Sequence, residues 1–248
     1  FFSVPTVSSN CAPVSAIAVI YKDDGALDHY HFPKRCPEHC FIDTTVILDS
    51  PEELFWAGIG DALSKQAESQ LASRGAELTH TPLLGVQAGL VCEDPLLEYG
   101  KQAIEDFRAK RDSHAFTETV LDIIVSTGIT SNLTTTKDSY YYNASMVLPS
   151  IHKHLHGEVV SFGTLVLHAV DEDDVALERL MTFNHSVGLP VTLAQLDITT
   201  PEQVNALVDR AATMKEWTCV PYEMTKDKFR NGIYKVDELG RKFVAKQS

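Results

Sequence analysis

The sequence has no apolar run of the ~18 residues that a membrane-spanning helix needs. It is also poor in positive charge: lysine and arginine number 21 against 34 aspartate and glutamate residues, and the formal net charge is −13. Such a charge repels phosphate backbones, and no basic tract or basic-aromatic stripe offsets it. We therefore expect neither a membrane nor a nucleic acid among the partners of this chain.

Cysteine is scarce and irregularly spaced. An odd number of scattered cysteines favours reduced thiols over a disulfide framework, which indicates a cytoplasmic protein. No secretory signal peptide is visible, although a start at Phe1 without methionine indicates that the true start is missing or processed. The five cysteines are Cys11, Cys36, Cys40, Cys92 and Cys219.

The pattern of the chain changes near residue 50. The 248 residues are 44% hydrophobic, which is enough for a large core in one or two domains. Before residue 50, short apolar and β-branched runs predict strands, and Asp23-Asp24-Gly25 predicts the turn of a hairpin. The predicted strands cover residues 1–7, 15–21, 29–32 and 40–48.

After residue 50 the periodicity is helical. The segment Ser50-Pro51-Glu52-Glu53 is typical of a capping box with proline at the first helical position, and predicts a helix to about residue 72. A similar box at Thr200 predicts a helix to about residue 215, and Gly188 predicts a helix end. Further helices are predicted over 82–92, 95–110, 115–131, 157–170, 172–187 and 225–246. The expected fold class is α+β, with a β-rich part over 1–49 and an all-helical part over 50–248.

Asp61 is the first candidate for chemistry. It is an acid in an otherwise apolar helix that also carries Gly58 and Gly60. A carboxylate that faces a helix bundle is costly unless it is paired or metal-bound, whereas one on the outer face is simply solvated. Each glycine weakens a helix by roughly 1 kcal/mol relative to alanine, so we expect another segment to approach the backbone here.

Three histidines precede the helix predicted at 157. His152 and His156 would share a face of a helix and could grip one ion, but a polar loop would leave the histidines in solvent. We expect solvation for His152 and His154. This expectation is weaker for His156, because Gly157-Glu158, directly after it, fits a tight helix start. Glu158 could orient His156, although the role of a helix-start acid is favoured.

Two other segments could bind a ligand. A cluster of histidines and cysteines could bind zinc, but its spacing matches no usual finger, and hairpin strands explain the alternation, so a structural role is favoured. The hydroxyl-rich loop over residues 5–15 could bind a phosphate or sugar, although most such loops are only turns. The cluster comprises His29, His31, Cys36, His39 and Cys40.

Four segments, over residues 5–21, 42–63, 154–166 and 187–196, resemble the iron-containing alcohol dehydrogenase superfamily, specifically its glycerol dehydrogenase-like branch. The resemblance implies the dehydroquinate synthase-like fold, in which a dinucleotide-binding α/β domain precedes an all-helical metal-binding domain. It assigns residues 1–49 to the last strands of the first domain, as a remnant, and 50–248 to the metal and substrate domain.

The resemblance also implies roles for particular residues. Asp61 and His156 match metal ligands, which would act in catalysis through the metal. Cys11 stands where glycerol dehydrogenases carry an aspartate near the substrate, which puts glycerol itself in doubt. The positions that match the lining of the nicotinamide site are Thr6, Ser15, Ile17 and Tyr21.

Two family features are absent from the sequence. One is the glycine-rich phosphate loop of the nucleotide-binding half. The other is a further histidine ligand, which relatives carry about eighteen residues before the last one, where Met146 here runs directly into Val147. Either the chain is a degenerate fragment or segments of a longer polypeptide are missing from it, and its intact motifs favour missing segments.

The implied function is a hydride transfer. We expect an oxidoreductase that depends on NAD or NADP and on a divalent metal, with zinc favoured over iron, and that acts on a small alcohol, polyol or 2-hydroxy acid. We also expect a homo-oligomer, and the sequence does not determine its number of subunits. The alternatives are a truncated, non-catalytic helical fragment that has lost metal and cofactor binding and, less favoured, a carbon–oxygen lyase or cyclase of the same fold.

Overall fold

The computed structural model describes residues 1–22, 27–134 and 140–247, most of which are helical. Within these ranges, four short strands form two pairs. Strand β1 (Phe2–Ser3) pairs in parallel with β4 (His39–Cys40), and β2 (Ala18–Tyr21) pairs antiparallel with β3 (Leu27–His31). Ala18 lies opposite His31 and Ile20 opposite His29, so the predicted hairpin is confirmed. Its predicted turn at Asp23-Asp24-Gly25 lies outside the described residues.

The strand predicted over 40–48 is wrong beyond Cys40. Helix α1 (Thr44–Leu48) begins there instead, because the Asp43 side chain accepts a hydrogen bond from the backbone N–H of Thr45 at 3.0 Å. The β-branched run suggested a strand, but helical backbone lets both Ile47 and Leu48 join the core. α-Helical structure therefore begins at residue 44, and the domain assignment over 1–49 and 50–248 stays a prediction.

Eleven further α-helices follow within the described residues, and every predicted helix is present with shifted ends. The helix predicted from 50 to 72 divides at Leu63, and the one predicted over 115–131 divides at a π-helical turn, Asp122–Ser126. The helices are α2 (Glu52–Ala62), α3 (Ser64–Ser73), α4 (His80–Gly89), α5 (Asp94–Arg108), α6 (His114–Leu121), α7 (Thr127–Leu133), α8 (Tyr140–Ser145), α9 (His156–Asp171), α10 (Asp174–Val187), α11 (Pro201–Ala211) and α12 (Lys226–Gln247).

The two predicted capping boxes have different outcomes. Thr200 caps α11 as expected, since its hydroxyl accepts from the N–H of Gln203 and the Gln203 side chain accepts from the N–H of Thr200. The box at Ser50 is wrong, because the extended backbone of Pro51 makes proline itself the N-cap of α2. Gly188 ends α10 in the left-handed conformation, at φ +79°, as predicted.

Helix α9 lies at the centre of the bundle. It packs against α2, α3, α10 and α12, and most of its residues are buried. Phe162 and Leu165 on α9 have no exposed surface, and neither has Phe229 on α12. The first residue of α9, His156, is therefore carried by a helix that is buried along most of its length. No helix within the described ranges is both long and apolar enough to cross a membrane.

Candidate active site

Asp61 and His156 meet, although 95 positions separate them in the sequence. Nε2 of His156, the first residue of α9, lies 3.1 Å from Oδ1 of Asp61 on α2. The Asp61 side chain is only 6% exposed, whereas the His156 side chain is 40% exposed. The structure thus brings the two predicted ligands into contact. The carboxylate of Asp61 is buried, whereas the imidazole of His156 is partly exposed to solvent.

Close backbone contact between α2 and α9 makes this meeting possible. A Cβ atom on Gly60 would collide with the carbonyl of Gly157, and one on Gly157 would collide with the carbonyl of Ala57. A Cβ atom on Gly58, which also lies on α2, would collide with the carbonyl of Ser8 in the N-terminal loop. The expectation that other segments approach the backbone of α2 is therefore confirmed.

Asp61 is held as an anion. Burial by itself raises the pKa of its carboxyl group, but the ammonium of Lys65 and the hydrogen bond from His156 lower it more. The pKa of Asp61 therefore lies below its ordinary value. A buried carboxylate that stays ionised is a strong ligand for a cation.

Two tyrosines complete the surroundings of the pair. The Tyr142 ring on α8 packs edge-on against the His156 ring, with centroids 4.1 Å apart. Burial raises the pKa of Tyr142 to about 12, with a smaller contribution from Tyr21. Burial also raises the pKa of Tyr21, and the charge of Asp61 adds to it, so the β2 hairpin brings Tyr21 within electrostatic reach of Asp61. Sequence reasoning missed Tyr142, for which the aromatic run over residues 140–142 was the available signal.

The other predicted cofactor and substrate residues lie on the N-terminal loop that packs on α7. Asn132 holds this loop in place, since its side chain accepts from the N–H of Ala16 and donates to the carbonyl of Val14, both at 2.9 Å. Sγ of Cys11 lies 3.8 Å from the hydroxyl of Ser131. Of the predicted nicotinamide positions on this loop, Ser15 is buried, Ile17 is half-buried and Thr6 is exposed.

The histidines that precede α9 differ in their surroundings. His152 is exposed, as expected, with Nε2 3.2 Å from the carbonyl oxygen of Met146. The expectation for His154 is wrong, because its ring lies between two acids, with Nδ1 2.9 Å from Glu158 and Nε2 3.3 Å from Asp197. Glu158 also accepts from the N–H of Leu155, which confirms its favoured role as the helix-start acid.

The carboxylate of Asp61 and the imidazole of His156 are suitable types of ligand for a divalent cation, but two ligands are fewer than a catalytic metal site normally has. A carboxylate and an imidazole within hydrogen-bond distance are ordinary ligands of zinc, whereas catalytic zinc sites use about three protein ligands. Within residues 1–22, 27–134 and 140–247, no three histidine, cysteine, aspartate or glutamate side chains are arranged to hold a metal ion. That finding covers the Asp61–His156 pair and the described members of the cluster over residues 29–40. All five cysteines lie within the described residues, and no disulfide joins them there.

Comparison with known proteins places the chain among alcohol dehydrogenases, although no family model matches it. It is 31% identical to glycerol dehydrogenase from Pseudomonas putida, over 97% of this chain and 68% of that protein. It is 30% identical to hydroxycarboxylate dehydrogenase A from Escherichia coli K12, over 96% of this chain and 68% of the relative. The structure of a probable glycerol dehydrogenase from Sinorhizobium meliloti superposes with a TM-score of 0.87 at 28% identity, over 96% of this chain and 70% of that one.

The class of protein follows from these likenesses in sequence and fold: an alcohol oxidoreductase built on the glycerol dehydrogenase fold. The chain belongs to the iron-containing alcohol dehydrogenase family, in its glycerol dehydrogenase branch. It spans about two thirds of the length of the curated relatives named above. The family resemblance seen in the sequence is thereby confirmed.

Proposed function

We propose that this chain serves an NAD(P)-dependent and divalent-metal-dependent oxidation of a small alcohol, polyol or 2-hydroxy acid, and the reverse reduction. The observation that carries the proposal is the buried, anionic Asp61 with Nε2 of His156 3.1 Å from its carboxylate. The family membership supplies the reaction class. We also propose a cytoplasmic location, which the lack of disulfides among the described residues supports.

Asp61 and His156 would hold the metal. A bound divalent cation supplies Lewis acidity at the substrate hydroxyl, and the nicotinamide supplies the hydride acceptor. Asp61 contributes a full negative charge at a buried position, and His156 contributes a ring nitrogen. Because these two donors contact each other, the cation would replace the hydrogen between them. We propose zinc in preference to iron, although oxygen and imidazole donors accept either metal.

Other residues of the chain would position the two substrates. Tyr21, which lies within reach of Asp61, is proposed to line the nicotinamide site together with Thr6, Ser15 and Ile17. Cys11 is proposed to lie beside the substrate. A half-buried thiol accepts a hydroxyl hydrogen bond poorly compared with a carboxylate, so we expect weaker selection for glycerol than an aspartate would give.

Replacement of the two ligands tests the proposal. Asp61→Asn and His156→Ala should each lower bound zinc to a small fraction of the wild-type amount and abolish NAD-linked alcohol oxidation. His152→Ala is the matched control, because this exposed histidine stands four residues from His156 and should leave both measurements unchanged. Elemental analysis after dialysis reports zinc, and the absorbance of NADH reports turnover. Wild-type zinc content and turnover in both ligand variants would show that the site is assigned wrongly.

The second candidate is a helical fragment without catalysis. The observation in its favour is that the described residues provide only two metal donors at the site. It predicts that the wild-type chain binds neither zinc nor NADH. Titration of the purified chain with each ligand separates the two candidates, since the proposed enzyme binds both.

A further inference from the structure

Lys65 is a lysine inside the helical core, and the proposed reaction does not use it. It is 4% exposed, and its ammonium lies 3.4 Å from the carboxylate of Glu68, which is 9% exposed. Lysine and glutamate are almost never buried to this degree unless they are paired. A buried ion pair of this kind is often no more stabilising than apolar side chains of similar volume, so its presence points to a role other than stability.

The backbone places Lys65 beside Asp61. Leu63, at the junction of α2 and α3, has right-handed helical torsion angles, and its N–H donates to the carbonyl of Ile59 at 3.1 Å. The helical path therefore continues from α2 into α3. Residues four apart lie on the same face of a helix, which brings the Lys65 side chain toward that of Asp61. The charge of Lys65 acts on the Asp61 carboxylate accordingly.

Glu68 lies near Tyr142, the tyrosine that packs on His156. It lines a narrow crevice together with Tyr142, Val160 and Gly163. Tyr142 in turn packs on the ring of His156. The Lys65–Glu68 pair therefore lies close to both members of the candidate metal site. The charge of Lys65 acts on Asp61, and Glu68 shares a crevice with Tyr142, which packs on His156.

We propose that Lys65 and Glu68 are positioning residues whose opposite charges set the affinity of the Asp61–His156 site for a divalent cation. The inference rests on the proposed function, since it assigns a charge-balancing role at that same site. Lys65 repels an incoming cation and Glu68 attracts it, and in a buried environment of low dielectric constant both effects are large. The charge of Lys65 keeps Asp61 anionic, and the charge of Glu68 offsets part of the repulsion between Lys65 and the cation.

Zinc affinity tests the proposal, measured on the full chain by competition with a chromophoric chelator. Lys65→Met should bind zinc about tenfold more tightly, and Glu68→Gln about tenfold more weakly. In the double variant the two effects should cancel to within about threefold of the wild type. Lys65→Arg keeps the charge and should keep wild-type affinity. The near-isosteric Glu68→Gln variant keeps the test decisive if Lys65→Met fails to fold.

A purely structural role gives a different result. Loss of packing would weaken zinc binding in both single variants, in step with a lower Tm, and that outcome would overturn the proposal. Unchanged affinity in both, while Asp61→Asn still abolishes binding, would refute this inference and leave the proposed function standing. If the wild-type chain binds no zinc, the proposed function fails first and this inference fails with it.

Discussion

Replacement of Gly157 by alanine should damage stability and the candidate site together. The added Cβ atom would collide with the carbonyl of Ala57, and relief of the collision requires α2 and α9 to separate by more than about 1 Å. Overpacking of this kind costs about 1–3 kcal/mol. For a chain of this size each 1 kcal/mol lowers the Tm by about 2–4 °C, so the Tm should fall by roughly 2–12 °C.

The same separation acts on the Asp61–His156 pair. Their 3.1 Å contact would lengthen beyond hydrogen-bond distance, so Gly157→Ala should also weaken zinc binding. Gly75→Ala is the matched control: nothing lies within 4 Å of its Cβ position, and its φ of +78° costs stability only locally. It should lower the Tm slightly and leave zinc affinity unchanged. Calorimetry and chelator competition measure the two effects, and wild-type Tm and affinity in Gly157→Ala would refute the reasoning.

Two further predictions concern groups outside the site. Burial raises the pKa of Asp122 from 3.8 to about 7, so the folded protein holds this proton more tightly than the unfolded chain. Stability should therefore fall, by up to about 4 kcal/mol, as pH rises through this interval, and stay lower above it. Asp122→Asn should lose this slope and exceed the wild-type Tm at pH 8, whereas parallel Tm curves between pH 5 and 8 would contradict the prediction. Thr200→Ala removes an N-cap and should cost about 1 kcal/mol, while Ser50→Ala should leave the Tm unchanged because the Ser50 hydroxyl caps no helix. Equal Tm losses in these two variants would show that the caps are misassigned.

The helices could be predicted from the sequence because their signals are local. Thr200 and Gly188 mark a helix start and a helix end through hydrogen bonds and torsion angles within a few residues. These signals predicted the wrong element where two local preferences compete. The β-branched run after Asp43 favours a strand, but the cap and the burial of Ile47 and Leu48 decide for a helix.

The candidate site was predictable only in part. The family resemblance named Asp61 and His156, and Gly58 and Gly60 beside Asp61 indicated a close backbone contact. The structure adds that the contact is between α2 and α9. His154 was expected in solvent, and its two acidic partners include Asp197, which is 43 positions away and has no local sequence signal.

Local sequence patterns therefore predict most of the helical segments and the hairpin, and the family resemblance adds two residues suited to bind a cation. Tertiary structure alone decided that these residues touch, that Tyr142 packs on His156, and that the buried Lys65–Glu68 pair stands beside Asp61. The physical reason is that periodicity and capping act over a few residues along the chain. Burial and charge at Asp61 depend instead on which helices pack around it, and that is set by the whole core.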